Sequence, residues 1–148
     1  MIAARFKLLI VTLWVGSLWT IGYVVAPTLF ATLSDRVLAG SIAGSLFRIE
    51  AWLSVGCAMA LMVISKLSAQ ASGDVDRPWW RLLLAMLACT VVGYFGLQPF
   101  MAALREAAGQ GGVMNSAARM QFGVLHGISS AIYLIQSLLG AVLVFKAK

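Results

Sequence analysis

Charge is what this chain has least of. Only 11% of its residues are charged, against about 25% in an ordinary soluble domain, and 61% are hydrophobic. A soluble helical bundle needs a polar face on every helix, whereas the long apolar stretches here are apolar all round. Water is therefore excluded as the solvent for most of the surface. Histidine is nearly absent: with His126 alone, a bis-histidine haem within one protomer is excluded. Two cysteines, Cys57 and Cys89, fall in no zinc spacing, and hydrocarbon surroundings give no reason for a disulfide between them. No Walker loop, dinucleotide fingerprint or nucleophile elbow occurs. Coiled-coil heptads, tandem repeats and low-complexity tracts are missing too.

Some tempting constellations remain. Seven methionines, Cys57, Cys89 and His126 are soft ligands of the kind that select Cu(I). The cysteines fall far below His126 in the membrane, however, and the methionines are scattered, which fits apolar packing. Ser129 and Ser130 stand beside His126 at helical spacing, but such serines usually bond their own backbone. No catalytic residue, metal site or cofactor is expected.

The net charge of +6 would suit a nucleic-acid binder if it were clustered on one face. It is not, and no nucleic-acid partner is expected. Arg5, Lys7, Lys66, Arg77, Arg81, Lys146 and Lys148 sit at the ends of apolar runs, as residues that hold loops on the cytoplasmic side do.

Uncharged runs at residues 8–34, 82–104 and 120–145 each exceed the roughly 20 residues needed to cross hydrocarbon. A further run is split by Arg48 and Glu50, and we read it as one helix that starts at Ser34 or Asp35 as cap. The first run is too long for a signal peptide's apolar region and no A-x-A site follows it, so it is expected to stay as a helix. The expectation is an all-α integral membrane protein, a four-transmembrane-helix antiparallel bundle. One domain over residues 1–148 holds spans at about 7–33, 36–65, 80–104 and 119–145. Alternation puts both termini and the turn containing Ser72, Gly73, Asp74 and Asp76 on the cytoplasmic side, leaving Arg36, Arg105 and Arg119 opposite. Trp79 and Trp80 beside Arg81 suit the inner interfacial belt. The loop at Gly109, Gln110, Gly111 and Gly112 is expected to be flexible and non-cytoplasmic.

Helices in lipid meet through small residues and a few polar ones. Each span carries such a stripe: Gly16 and Thr20 on the first, Gly40, Gly44, Ala51 and Ala58 on the second, Cys89, Gly93 and Gly96 on the third, and Gly123, Gly127, Ser130 and Ser137 on the fourth. These faces are expected to meet inside the bundle. Gly40 with Gly44 and Gly123 with Gly127 form literal G-x-x-x-G pairs, which serve packing within the protomer or a homodimer contact.

Depth brings the unusual residues together. Counting outward from Lys7, Lys66, Arg81 and Lys146 at about 1.5 Å per residue places Tyr23, Glu50 and Ser130 at roughly 24 Å, Gln98 at roughly 25 Å, Arg48 at roughly 27 Å and His126 at roughly 30 Å. In hydrocarbon about 30 Å thick this is one polar layer at the outer edge. Arg48 and Glu50 stand roughly 200° apart on their helix and should not neutralise each other. His126 should face the bundle, with Tyr23, Glu50 or Arg48 as neighbours. An ionisable residue in a membrane is a functional candidate; equally, a lone histidine packs, and an arginine at the interface snorkels to headgroups. Gln98 and Pro99 more simply end or kink a span.

The stretches LWVGSLWTIGYVVAPTLFATL, AGSIAGSLFRIEAW and FGVLHGISSAIYL resemble the transmembrane protein 205-like family, catalogued as domain of unknown function 4149, over nearly the whole chain. The resemblance implies a small four-helix protein of bacterial inner-membrane type, with no agreed activity. It marks Pro27, Gly40, Gly44, Phe47 and His126 as family-pattern positions. Two functions stand open. In one, the bundle binds or passes a small solute or ion, with His126, Glu50, Arg48 and Tyr23 as contacting groups. In the other it is an accessory protein whose glycine-lined faces dock partner membrane proteins. The lipid bilayer is the surrounding partner in both.

Overall fold

The computed structural model describes residues 2–73, 75–109 and 113–147. Asp74, Lys148 and the glycine-rich loop expected at Gln110, Gly111 and Gly112 lie outside the described residues. Among the described residues six α-helices follow in order: α1 (Ile2–Trp19), α2 (Ala26–Thr32), α3 (Arg36–Ser72), α4 (Arg77–Thr90), α5 (Gln98–Ala107) and α6 (Ser116–Lys146). Two π-helical segments, Thr20–Val25 and Val91–Gly96, join α1 to α2 and α4 to α5. The result is four rods long and apolar enough to cross a membrane, Ala4–Thr32, Arg36–Ala71, Arg77–Ala107 and Ser116–Lys146. No strand occurs among the described residues. The chain is thus a multi-pass membrane protein in contact with the lipid bilayer.

Short polar side chains set where the rods begin. Asp35 accepts from the backbone N–H groups of Val37 at 2.8 Å and Leu38 at 3.0 Å, Asp76 from Trp79 at 3.0 Å, and Asn115 from Ala118 at 2.7 Å. Each satisfies a donor that the first turn of a helix leaves free, worth about 1 kcal/mol. Between Thr32 and Arg36 the turn is so short that α2 and α3 must run antiparallel in contact. The second rod continues about two turns past Ser65, to Ser72, and Gly73 ends it at φ 74°, a left-handed conformation that a Cβ disfavours.

The first rod was expected as an unbroken helix and the third as one ended or kinked at Gln98 and Pro99, and each instead widens in its middle. Pro27 and Pro99 lie just beyond the two π segments. A proline offers no N–H to the carbonyl four residues back and its ring crowds that carbonyl, so the turn ahead of it loosens. Beyond the first loosening, Ala26 N–H reaches the Ile21 carbonyl, five residues back.

The main buried cluster lies in the half of the bundle that holds the termini, while Ala39, Ala43 and Met101 are buried singly in the other half. Val11, Trp14 and Val15 from α1, Cys57, Ala58 and Leu61 from α3, Trp79, Leu83 and Met86 from α4, and Leu143 from α6 form one buried cluster. Two expectations are corrected there. Trp79 is buried rather than part of an interfacial belt: its indole N–H donates to Ser65 Oγ at 2.9 Å, and Lys7 Nζ lies 5.9 Å from its ring centroid. The close approach of the fourth rod is made by Gly140, where an added Cβ would meet Val15 at 3.3 Å and Met86 at 3.5 Å. Gly16, Gly123 and Gly127, expected to face the interior, have nothing within 4 Å of where a Cβ would stand.

The rods separate in the other half. There α2 touches the first π segment and α3, while α6 touches α1, α4, the second π segment and α5. No Cα of α2 comes within 8 Å of one in α6. The backbones of the first and fourth rods are therefore close near the termini and stand farther apart at the far end.

Candidate functional site

Separation of the rods leaves a cleft of about 860 Å³, within the range of small-molecule pockets. Both π segments border it, through Gly22 and Tyr23 on one side and Gly93 and Tyr94 on the other. The fourth rod pins both. Tyr133 Oη donates to the Leu18 carbonyl at 2.6 Å, where the first loosening begins, and its ring occupies the space that a Cβ on Gly22 would need. Gln136 Nε2 donates to Thr90 Oγ1 at 2.9 Å, where the second begins. Tyr23 Oη donates to Ser137 Oγ at 2.9 Å. A widened turn exposes backbone groups that a regular helix would occupy, and side chains from a neighbour supply partners there.

Glu50 forms the floor. It is 3% exposed and lines the cleft. Its Oε1 accepts from Ser54 Oγ at 3.3 Å, and Ser54 Oγ in turn accepts from the Trp14 indole N–H at 2.7 Å. The Ser17 hydroxyl is directed to the Trp14 carbonyl at 2.9 Å. Glu50 Oε2 is buried and without a hydrogen-bond partner among the described residues. Leaving a buried polar group unmatched costs about 1–3 kcal/mol, more for a charged one.

The far end is basic. Arg36 and Arg105 line it. Arg105 donates from Nε to the Met101 carbonyl at 3.3 Å and from Nη1 to the Gly40 carbonyl at 3.5 Å, with its guanidinium 5.7 Å from the Phe122 ring centroid. Gly44 leaves room for this: a Cβ there would stand 3.5 Å from Arg105 Nη1 and 3.7 Å from Gln98 Nε2. The G-x-x-x-G pair of the second rod thus receives side chains, not another helix backbone. Phe47 packs edge-on against Tyr133, ring centroids 5.4 Å apart.

Of the residues singled out by depth, Tyr23, Glu50, Gln98, His126 and Ser130 all border the cleft. Arg48 does not; it is exposed while Glu50, two positions on, is buried. His126 also departs from expectation. Rather than meeting Tyr23, Glu50 or Arg48, it stacks on Phe122 of its own helix with centroids 6.0 Å apart. Ser130 Oγ bonds the His126 carbonyl at 2.8 Å, the self-satisfying pattern usual for helical serines. Pro27, Gly40, Gly44 and Phe47 line the cleft as well. Both cysteines are free: Cys57 is packed in the core and Cys89 borders the cleft. Among the described residues no three His, Cys, Asp or Glu side chains cluster as metal ligands would.

Sequence reasoning passed over Tyr133, Ser54, Trp14 and Arg105. Three are uncharged residues inside apolar runs, and Arg105 was read only as a marker of sidedness. The signal that could have found Tyr133 and Gln136 is their placement one turn apart, level with the loosened turns ahead of Pro27 and Pro99.

Comparison with known proteins adds one finding. The family described as Domain of unknown function (DUF4149) matches residues 9–110. Pro27, Gly40, Gly44 and Phe47 fall inside that range, and His126 falls outside it. The match carries no link to transmembrane protein 205. No curated protein and no solved structure matches.

Proposed function

Starting from a chain that belongs to the family of the domain of unknown function 4149, whose description assigns no activity, we propose that the protein binds a small membrane-dissolved solute in the cleft between its rods. The observation that carries this is a cavity of about 860 Å³ with a buried, half-satisfied carboxyl at its floor. Ligand pockets combine apolar walls with a few placed polar groups, and Phe47, Tyr133 and Met101 beside Glu50, Gln98 and Arg105 fit that description. Binding, not passage, is what the geometry supports: towards the termini the route is filled by Trp14, Leu83, Met86 and Leu143, all at 0% exposure. Glu50, Gln98, Tyr23, Ser130 and His126 are the contacting groups we assign, within one four-rod domain. The distribution of Lys and Arg supports both termini on the cytoplasmic side of a bacterial inner membrane.

The accessory reading, in which glycine faces dock partner membrane proteins, keeps the open space beside Gly16, Gly123 and Gly127 as its support. One experiment separates the two. Purified protein in lipid nanodiscs is titrated with fluorescent single-chain amphiphiles, using empty discs as blank. The binding reading predicts one saturable site per chain, removed by Gly44→Trp, whose ring would fill the cleft. Purely partition-like uptake, unchanged by that substitution, would leave docking as the better account.

A further inference from the structure

We infer that the occupant of the cleft is an amphiphile with a primary ammonium head, taken in sideways from the bilayer between the first and fourth rods, its head carried down to Glu50. This rests on the binding reading above and gives it a ligand class.

Three observations converge. Glu50 is the one acidic side chain among the described residues bordering the cleft. It is 3% exposed, its Oε1 is engaged by Ser54, and its Oε2 accepts no hydrogen bond among the described residues, the neighbouring Ser17 hydroxyl being directed to the Trp14 carbonyl. When ionised, Glu50 accepts only, and an occupant that matches it brings N–H or O–H donors; an ammonium brings three together with the charge that a buried carboxylate needs.

No cation among the described residues fills that role. Arg48 lies outside the cleft, and Arg105 is tied to the carbonyls of Met101 and Gly40 at the far end. Near the floor Thr90 and Gln136 satisfy each other, and Leu18, Ile132 and the Phe47 and Tyr133 rings, locked edge to face, give the wall its apolar surface. Such a surface accepts a hydrocarbon body.

The route distinguishes an amphiphile from a free amine. A small water-borne cation coming from the far end meets Arg36 and Arg105 first, and like charge repels it. A molecule already dissolved in the bilayer comes in where the backbones of α2 and α6 stand apart, tail trailing into lipid.

The test uses the full chain in phosphatidylcholine nanodiscs, with dodecylammonium, dodecanol and butylammonium competing against a fluorescent amphiphile. Dodecylammonium should bind more tightly than dodecanol by about tenfold to a hundredfold, the size of a charge-assisted hydrogen bond. Butylammonium, which has the head without the tail, should compete weakly. Glu50→Gln should bring dodecylammonium down to the level of dodecanol while dodecanol binding persists, and Glu50→Asp should keep the preference. Equal binding of the two dodecyl compounds, or a preference that survives Glu50→Gln, overturns the ammonium assignment and leaves the cleft reading standing. Butylammonium binding as tightly as dodecylammonium overturns the route from the bilayer. If none of the three binds saturably, the cleft reading falls as well. The ranking on the unaltered protein decides these outcomes even if a variant fails to fold.

Discussion

The Tyr133 hydroxyl donates to the Leu18 carbonyl at 2.6 Å while the same ring lies over Gly22. One side chain of the fourth rod thus closes the seam with the first at the level where the cleft begins. Towards the termini from this point the rods share one buried cluster, and beyond it they part.

Gly22→Ala should therefore be costly for so small a change. Its Cβ would overlap the Tyr133 ring, forcing the ring off and breaking its bond to Leu18. Overpacking of this kind costs about 1–3 kcal/mol. A clear fall in melting temperature in detergent is expected, and a double variant with Tyr133→Leu should recover part of it.

Ser54→Ala removes two hydrogen bonds at once, because Ser54 Oγ accepts from Trp14 at 2.7 Å and donates to Glu50 at 3.3 Å. Both the indole N–H and the carboxyl are then left buried and unmatched, at about 1–3 kcal/mol each. Trp14→Phe leaves only Ser54 to rearrange and should destabilise less through hydrogen bonding, though its smaller ring also loses packing. Equilibrium unfolding of Ser54→Ala alone and with Glu50→Leu measures the coupling, and the double variant should lose less than the sum of the two single changes.

The two glycines of the fourth rod separate packing from sequence pattern. Gly127 belongs to a G-x-x-x-G pair yet has open space beside it, whereas Gly140 belongs to none and touches Val15 and Met86. Gly140→Leu should destabilise by about 1–3 kcal/mol. Gly127→Leu should stay within about 0.5 kcal/mol of the parent, as surface changes usually do. Thermal unfolding of the pair checks this, and size-exclusion chromatography of Gly127→Leu shows whether that face also holds a partner copy.

How much was legible in the sequence follows from these residues. The four rods were legible because length without charge is enough to define a membrane span, and Asp35 could be read as a cap because it precedes an apolar run. The G-x-x-x-G at Gly123 and Gly127 does not serve packing within the protomer. Small residues permit close approach but do not say whether a helix, a side chain or a gap lies opposite. Trp79 was misplaced because a tryptophan near Arg81 looks interfacial, and its bond to Ser65 is a contact between rods that no local pattern reveals. Counting depth brought Glu50, Gln98, Tyr23, Ser130 and His126 to one region, since rise along a helix is fixed by geometry. The rotation of each residue about its helix is not fixed that way, which is why Arg48 faces away and why His126 finds Phe122.

The central claim is a cleft shut towards the termini, open on the opposite side, and filled by a bilayer-borne molecule. Cys89 borders it naturally, while Cys57 is packed in the core. The most direct measurement is the rate at which a charged methanethiosulfonate modifies Cys89 in a Cys57→Ala variant. The reagent is added to sealed vesicles from each side in turn, with the termini tagged to mark their side. Modification from the side opposite the termini, slowed by dodecylammonium, is the predicted result; modification from the terminal side, or a rate indifferent to the amphiphile, would contradict it.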